Sequence, residues 1–392
     1  MSNHNTTDFK SIFFSTLSLF VAICFNPFYS IVLLCVFSFY TKISDKVFVL
    51  VLFFLTFFLV MRPYGINWNE TEGDDALNYI KALHLCSNSD YISLIALNNK
   101  CGYGTEPGLF LLWVPLFKIL DSAITIIFAQ IYFSLLVLFY AIRSFNRRFA
   151  VLGTCFALIA TPNYLPMVIH IFRQMLALDF LLLYLIFKNY RIKIIFIFFA
   201  FVSHLTSIFA IPFYLFQKKI ELKSLIFLIF FTILFFTVFN LYFFEATSRL
   251  DGYSDVQKVS DYYLLIFSWV TIFLFSIYYL DKRYLLIKNF SIFFIIIYSC
   301  IVIFDTGLAS FSRLTIYFQP LLIGGLAITC AENKISRIRD KMALAGLILI
   351  FSKFFISSYI FDYIGGLNGR SFFAMYYTYS FYLDGIAQKI LN

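Results

Sequence analysis

Long apolar runs recur along the whole chain, and short polar or basic breaks separate them. Each helical crossing of a bilayer requires about 20 predominantly apolar residues. The charged fraction is 13%, about half of the roughly 25% that is typical of soluble domains. The pattern therefore predicts an all-α, polytopic integral membrane protein with roughly 10–13 transmembrane helices. We expect residues 1–392 to form a single transmembrane domain.

Most of the Lys and Arg residues lie in six short breaks between the apolar runs. These basic breaks are residues 42–46, 143–148, 188–193, 217–223, 281–288 and 332–341. The positive-inside rule places them in the cytoplasm, and it places the longest acidic break, residues 62–106, outside. Because loops that set topology account for most of the positive charge, the net charge of +9 does not indicate nucleic-acid binding.

Three segments depart from simple helical crossings. Residues 194–216 lie between two basic breaks, and 23 residues are too few for two full crossings, so we expect a re-entrant hairpin with His204 at its tip. Residues 107–142 are long for one crossing and are consistent with a short helix followed by a full one. The apolar stretch 11–40 is broken at Asn26-Pro27, which leaves two short crossings and one kinked helix as open alternatives.

Arg173 lies inside one of the apolar runs. A guanidinium at bilayer depth costs roughly 2.5–3.5 kcal/mol on insertion scales, and an ionisable residue there indicates a functional site by default. Arginine stays protonated and binds carboxylates or phosphates with its planar fork. On a continuous helix, His170, Arg173 and Gln174 would share one face, which predicts an anion-binding group. The alternative is a structural ion pair that joins two helices.

Further polar residues fall at the same predicted outer boundary. Arg62 ends one apolar run, His204 tops the hairpin, and Arg313 begins a later run. Each residue alone has a structural explanation, because arginines snorkel at helix ends and a histidine is an ordinary residue in a turn. The coincidence of all of them on one side indicates a site.

The outer loop, residues 62–106, is too long to be only a connector. Its acidic residues Asp74, Asp75 and Glu106 are candidates for a general base or for binding sugar hydroxyls. A solvated acidic loop explains the two aspartates equally well. Glu106 precedes Pro107, and a carboxylate is favoured at such a helix start.

The seven cysteines form no CxxC pair and no cluster with histidine, so no metal site is predicted. The sequence also lacks a P-loop, a Rossmann fingerprint and a GxSxG elbow, and we expect no cofactor. Cys86 and Cys101 share the outer loop, and a disulfide between them is expected in an oxidising compartment.

An ordered set of motifs resembles the EpsG-like branch of the Wzy polysaccharide polymerases. The matching residues are Arg62, Asp74 or Asp75, Tyr79, Glu106-Pro107-Gly108, Arg173-Gln174, His204, and Arg313 with Tyr317. Their order and spacing match over about residues 47–330. The family pattern has one aspartate before the tyrosine, so the correspondence of Asp74 and Asp75 stays open. His170 is not part of that pattern.

The resemblance implies a metal-independent glycosyltransferase of the membrane-embedded GT-C class. Such an enzyme joins undecaprenyl-diphosphate-linked oligosaccharide repeat units into O-antigen of lipopolysaccharide, capsule or exopolysaccharide. The implied location is the bacterial inner membrane, with the active site facing the periplasm. The implied partners are the lipid-linked oligosaccharide, membrane lipids, and a chain-length regulator and a flippase of the same pathway.

The chemistry of this reaction suggests a role for each candidate. Arg173 and Arg313, followed by Arg62, would stabilise the departing diphosphate without a metal. His204 is the predicted general base, because an imidazole titrates near neutral pH; Glu106 or Asp75 is the alternative. The other predicted substrate-binding residues are His170, Gln174, Asp74, Tyr79 and Tyr317.

Other functions remain open from the sequence. An O-antigen ligase-type transferase would use the same chemistry on a different acceptor. A non-enzymatic flippase or transporter of lipid-linked oligosaccharide is expected to show paired repeats and charges at both depths of the membrane, which this sequence does not show.

Overall fold

The computed structural model describes residues 2–24, 27–60, 75–86, 107–161, 164–215 and 316–332, with a few further positions between 223 and 292. All regular secondary structure in this part of the chain is helical. The helices are α1 (Ser2–Cys24), α2 (Pro27–Tyr40), α3 (Asp45–Val60), α4 (Asp75–Cys86), α5 (Gly108–Leu120), α6 (Ala123–Phe145), α7 (Ala150–Ala160), α8 (Tyr164–His170), α9 (Phe172–Ile186), α10 (Tyr190–Ser203), α11 (Ser207–Leu215) and α12 (Gln319–Glu332).

The chain divides into two compact units. The first comprises Met1–Ser207 and Phe351–Asn392, and the second comprises Ile208–Ile350. Helices α1 to α10 belong to the first unit and α12 to the second. The single transmembrane domain expected over residues 1–392 stays a prediction.

The N-terminal apolar stretch forms two helices that run in opposite directions. The Ser11 hydroxyl donates a hydrogen bond of 2.6 Å to the carbonyl of Lys42. The Ser30 hydroxyl donates one of 2.7 Å to the carbonyl of Ser18. Contacts near both ends of the pair require α1 and α2 to be antiparallel, which decides in favour of two helices over one kinked helix.

Two of the basic breaks meet at one end of the first unit. The Arg143 guanidinium, on the last turn of α6, lies 2.8 Å from the carboxylate of Asp45, the first residue of α3. Arg147 lies 4.0 Å from the same carboxylate. The ion pair is partly exposed, so it contributes little stability. It does show that the start of α3 and the end of α6 lie side by side.

Residues 107–142 contain a short helix, α5, followed by a long one, α6, as the sequence predicts. The Ser122 side chain caps α6 by accepting a hydrogen bond of 3.3 Å from the backbone N–H of Thr125. With 23 residues, α6 is the one helix of the described part that is long and apolar enough to cross a membrane. Helices α7 and α9, with 11 and 15 residues, are shorter than the about 20 residues that a full crossing requires.

Helices α9 and α10 form an antiparallel pair that is joined by contacts between phenylalanine rings. The ring centroids of Phe180 and Phe199 are 5.3 Å apart, and those of Phe187 and Phe196 are 5.2 Å apart. Because the residue number falls along α10 as it rises along α9, the first residue of α9 and the last residue of α10 lie at the same end of the pair. Arg173 and Ser203 belong to this end.

Candidate functional site

Arg173 is the second residue of α9 and binds a tyrosine on α4. Its Nε donates a hydrogen bond of 3.1 Å to the phenolic oxygen of Tyr79. Its Cζ lies 5.9 Å from the centroid of the same ring, within cation–π range. A phenol orients a guanidinium without neutralising its charge. The contact with Tyr79 therefore fixes the position of the guanidinium and does not itself offset its positive charge.

Buried aromatic rings hold Tyr79 in place from two further helices. Trp113 of α5 and Phe172 of α9 lie with ring centroids 6.2 and 5.5 Å from that of Tyr79. The Trp113 and Phe172 centroids are 5.1 Å apart, and all three side chains are almost completely buried. Such pairs contribute about 0.5–1.5 kcal/mol each beyond area burial. The aromatic triangle joins α4, α5 and α9 and makes the support of Arg173 rigid.

The expectation that His170, Arg173 and Gln174 share one helix face is wrong. Helix α8 ends at His170, and Ile171 has φ −113° and ψ 65°, so Arg173 belongs to a second helix. Apolar residues continue through the interruption, and Ile171 is neither glycine nor proline. The local sequence therefore does not predict a helix break at this position. Gln174 is fully buried whereas Arg173 is partly exposed, and the His170 side chain lies outside the described residues.

The interruption places Arg173 in the first turn of α9. This turn is fully described, contains no acidic residue and has no side-chain cap at Ile171. A helix N-terminus carries a partial positive charge that favours anions. The guanidinium adds a full charge to the same location. A cation in this position is unfavourable for the helix alone, which supports a role in binding an anion.

Gly108, the first residue of α5, lies directly against Ser203, the last residue of α10. A Cβ on Gly108 would lie 2.6 Å from the Ser203 Cα and 2.7 Å from its backbone nitrogen. Only glycine allows this approach. The packing of two backbones therefore brings Gly108, the last residue of the Glu-Pro-Gly motif, next to the residue that precedes His204. Glu106 itself lies outside the described residues.

His204 lies in the break between α10 and α11. It has an extended backbone with φ −159° and ψ 120°, and its N–H donates a hydrogen bond of 3.1 Å to the carbonyl of Ala200. Its carbonyl accepts a hydrogen bond of 2.9 Å from the backbone N–H of Ser207. The side chain is half-buried. The break in the helix thus places His204 directly after Ser203, the residue that contacts the start of α5.

Two buried serines flank His204 and were not singled out in the sequence. Ser203 and Ser207 are completely buried, and within the described residues neither hydroxyl has a hydrogen-bond partner. An unsatisfied buried hydroxyl calls for an explanation such as a ligand or an ordered water. Small polar residues around a histidine are too common in sequences for this signal to be read without the structure.

Helix α5 connects the two parts of the site. Gly108 contacts Ser203, and Trp113 contacts Phe172, the neighbour of Arg173. Trp113 follows Gly108 by five residues, which is about 7.5 Å along a helix axis. The points at which α5 contacts the Arg173 segment and the His204 segment therefore lie within two helical turns of each other.

The other predicted site residues are placed in part. The backbone of Asp75 begins α4, but its side chain is not described. Tyr317 is fully buried in the second unit, and its carbonyl accepts a hydrogen bond of 2.6 Å from the Tyr214 hydroxyl. The residues that lie outside the described part of the chain are Arg62, Asp74, Glu106 and Arg313.

In the described part of the chain, no group of three or more His, Cys, Asp or Glu residues is arranged to hold a metal ion. Cys86 is disulfide-bonded, whereas Cys35 and Cys155 are free and buried. Cys101 lies outside the described residues, so its pairing with Cys86 stays a prediction.

In the part of the chain that the structure describes, the fold is helical, and an arginine supported by buried aromatic rings lies at one end of the first unit. The chain belongs to the EpsG family, whose family model matches residues 50–381. This membership confirms the family indicated by the ordered motifs and makes the chain a membrane protein of polysaccharide biosynthesis in the general sense. No curated protein and no solved structure matches it.

Proposed function

We propose that the protein is a metal-independent membrane glycosyltransferase that polymerises undecaprenyl-diphosphate-linked oligosaccharide repeat units. The observation that carries this proposal is Arg173, a cation that Tyr79 holds by a hydrogen bond in the first turn of α9. A lipid diphosphate is an anion at the membrane boundary, and planar guanidinium groups bind phosphate oxygens in pairs. Membership of the EpsG family supports the same substrate class.

In the proposed reaction, an acceptor sugar hydroxyl attacks the anomeric carbon of the donor glycan. A new glycosidic bond forms, and the bond from that carbon to the diphosphate breaks, with the electron pair leaving on undecaprenyl diphosphate. Arg173, together with Arg313 and Arg62, stabilises the developing negative charge. Gln174, Tyr79, Tyr317, Asp74 and His170 complete the proposed substrate contacts.

His204 is the proposed general base for the acceptor hydroxyl. Its placement in a helix break, beside two buried hydroxyls and against the start of α5, supports this role. A base in hydrogen-bond reach of the attacking hydroxyl contributes typically 10²–10⁴-fold to the rate. Glu106 or Asp75 is the alternative base, and the contact of Gly108 with Ser203, the neighbour of His204, supports the choice of a residue close to Gly108 in sequence.

We further propose a polytopic, GT-C-like arrangement in the bacterial inner membrane. Residues 62–106 would form the long periplasmic loop that shapes the glycan groove, and residues 194–216 the re-entrant hairpin. Membrane lipids would surround the apolar helix faces, such as the exposed side chains of Ile194, Ile195 and Phe198. A chain-length regulator and a flippase of the same pathway would be its partners.

The proposal is tested in two stages. Deletion of the gene, followed by gel analysis of surface glycan, should leave single capped repeats without a ladder. Free lipid-linked polymer would instead identify a ligase, and unprocessed repeats confined to the cytoplasmic leaflet a flippase.

The second stage tests the arginine in membranes supplied with lipid-linked repeat units. Arg173→Ala and Arg173→Lys should both lose most polymer at normal expression, because lysine keeps the charge but lacks the planar fork. Arg191→Ala is the matched control, since Arg191 is an exposed cation at the start of α10. A normal glycan ladder from Arg173→Ala would contradict diphosphate binding by Arg173 and would indicate a structural role for this residue.

A further inference from the structure

A second polar group lies in the interior of the first unit, apart from the proposed site. Asp179 of α9 is completely buried. Its Oδ2 accepts a hydrogen bond of 2.5 Å from the Ser134 hydroxyl and one of 3.1 Å from the Gln130 side-chain amide, both on α6. Gln130 and Ser134 are four residues apart, so they lie one turn apart on the same face of α6.

This group is costly for the protein. A carboxyl group among buried apolar side chains loses its hydration, and within the described residues Asp179 Oδ1 has no hydrogen-bond partner. Both donors to Oδ2 are neutral. Replacing buried polar groups by apolar residues of similar volume is often neutral or stabilising. Stability alone therefore does not account for an aspartate at this position.

The apolar packing around Asp179 explains why a polar contact is needed to fix how α9 lies against α6. The other buried residues of α6 and α9 are mostly Leu, Ile, Phe and Ala, and apolar contacts of this kind tolerate sliding. A carboxylate oxygen that accepts hydrogen bonds from two side chains on one helix face does not tolerate sliding, because both hydrogen bonds would break. A buried polar residue that sets helix register is the best-attested use of such groups.

The register of α9 controls the location of Arg173. Asp179 follows Arg173 by six residues on the same helix, which is about 9 Å along the axis. A slip of one residue would shift the helix by about 1.5 Å and turn it by about 100°. Arg173 would then leave the Tyr79 hydroxyl that it now contacts at 3.1 Å.

We propose that Asp179 is a positioning residue that sets the register of α9 against α6 and so holds Arg173 at the anion site. The inference rests on the proposed function for its catalytic consequence. Its structural part, the register of α9, can be measured separately. Asp179 does not contact the substrate in this proposal.

The test compares two replacements of the group. Asp179→Asn keeps an acceptor oxygen of the same shape, so both hydrogen bonds from α6 remain possible. A triple variant, Gln130→Leu with Ser134→Ala and Asp179→Leu, removes every polar atom of the cluster. The triple variant leaves no unpaired polar side chain from the cluster, so we expect it to accumulate in membranes.

Trp113 reports the register without reference to activity. It packs against Phe172, the first residue of α9, with ring centroids 5.1 Å apart. The chain has three tryptophans, so Trp68→Phe and Trp269→Phe leave Trp113 as the single fluorophore. Its emission maximum and its quenching by acrylamide then respond to any displacement of the start of α9.

We expect Asp179→Asn to match the parent in Trp113 emission and in polymer yield. The triple variant should show shifted emission, stronger quenching and a loss of polymer on the order of 10²-fold, as for a misplaced reacting group. Unchanged emission with a normal ladder in the triple variant would overturn the proposal. So would loss of register in Asp179→Asn, or failure of the triple variant alone to accumulate.

One further outcome separates this inference from the proposed function. Shifted Trp113 emission in the triple variant, together with a normal glycan ladder, would support the register role of Asp179. It would count against Arg173 as the diphosphate ligand.

Discussion

The backbones of Gly108 and Ser203 are in direct contact, since a methyl group on Gly108 would lie 2.6 Å from the Ser203 Cα. This contact joins the start of α5 to the end of α10, one residue before His204. The position of the segment that contains His204 therefore depends on the absence of a side chain at Gly108.

Gly108→Ala should sharply reduce polymer formation, because relieving the overlap requires α5 and α10 to separate. Overpacking of this kind costs typically about 1–3 kcal/mol, so the melting temperature of the purified protein should also fall. Ser203→Gly in the same chain should not restore activity, because the Cα and backbone nitrogen contacts at 2.6 and 2.7 Å remain. Leu112→Ala, at a partly exposed position of α5, is the control. Parental activity in Gly108→Ala would refute the close contact.

Tyr79→Phe should weaken the binding of the lipid-linked donor while leaving the fold intact. The ring stays in the aromatic triangle, but the hydroxyl that accepts from Arg173 Nε is lost. Hydrogen bonds to charged groups contribute about 1.5–3 kcal/mol, so we expect donor affinity to fall by about ten- to a hundredfold. Titration of the donor against initial rate measures this. Tyr132→Phe is the matched control, because its hydroxyl donates to the Val49 carbonyl at 3.4 Å, and an equal effect there would contradict the assignment.

His204→Ala should lower the rate by about 10²–10⁴-fold without abolishing donor binding, because a general base acts on the acceptor hydroxyl. The measurement is single-turnover transfer at saturating donor, with donor binding determined separately. Parental turnover would remove His204 as the base and leave Glu106 or Asp75 in that role. Loss of donor binding in parallel with turnover would indicate a structural role for the helix break instead.

Cys86 is disulfide-bonded, and Cys101 is its predicted partner. Mass spectrometry of the non-reduced, alkylated protein should recover a peptide that contains both residues. A disulfide closing a loop of 15 residues contributes about 3 kcal/mol in the chain-entropy model, so reduction should lower the melting temperature. A peptide that links Cys86 to a different cysteine would refute the pairing, as would recovery of Cys86 as a free thiol.

The outer loop should face the periplasm. In a variant without the native cysteines, Asn69→Cys should react with an impermeant maleimide in intact spheroplasts, because residues 62–106 form an acidic break. Lys42→Cys, in a basic break, should react only after lysis. Reversal of these two results would overturn the proposed orientation.

The helical class and the family can be predicted from the sequence, because they depend on local composition and motif order and hardly on tertiary packing. Arg173 is conspicuous in an apolar run because its cost depends only on the local composition. The short helix and long helix within residues 107–142 follow from the length of one apolar run. The helix face expected for His170, Arg173 and Gln174 fails because the interruption at Ile171 has no local signal.

The sequence by itself determined the helical class, the family and the order of the polar residues along the chain, because these depend on local composition and spacing. Only the tertiary structure decided which residues contact one another. Tyr79 supports Arg173, Gly108 admits Ser203, and Asp179 joins α9 to α6. Each of these contacts joins residues at least 45 positions apart, and the packing of particular helices, which no local pattern encodes, selects them.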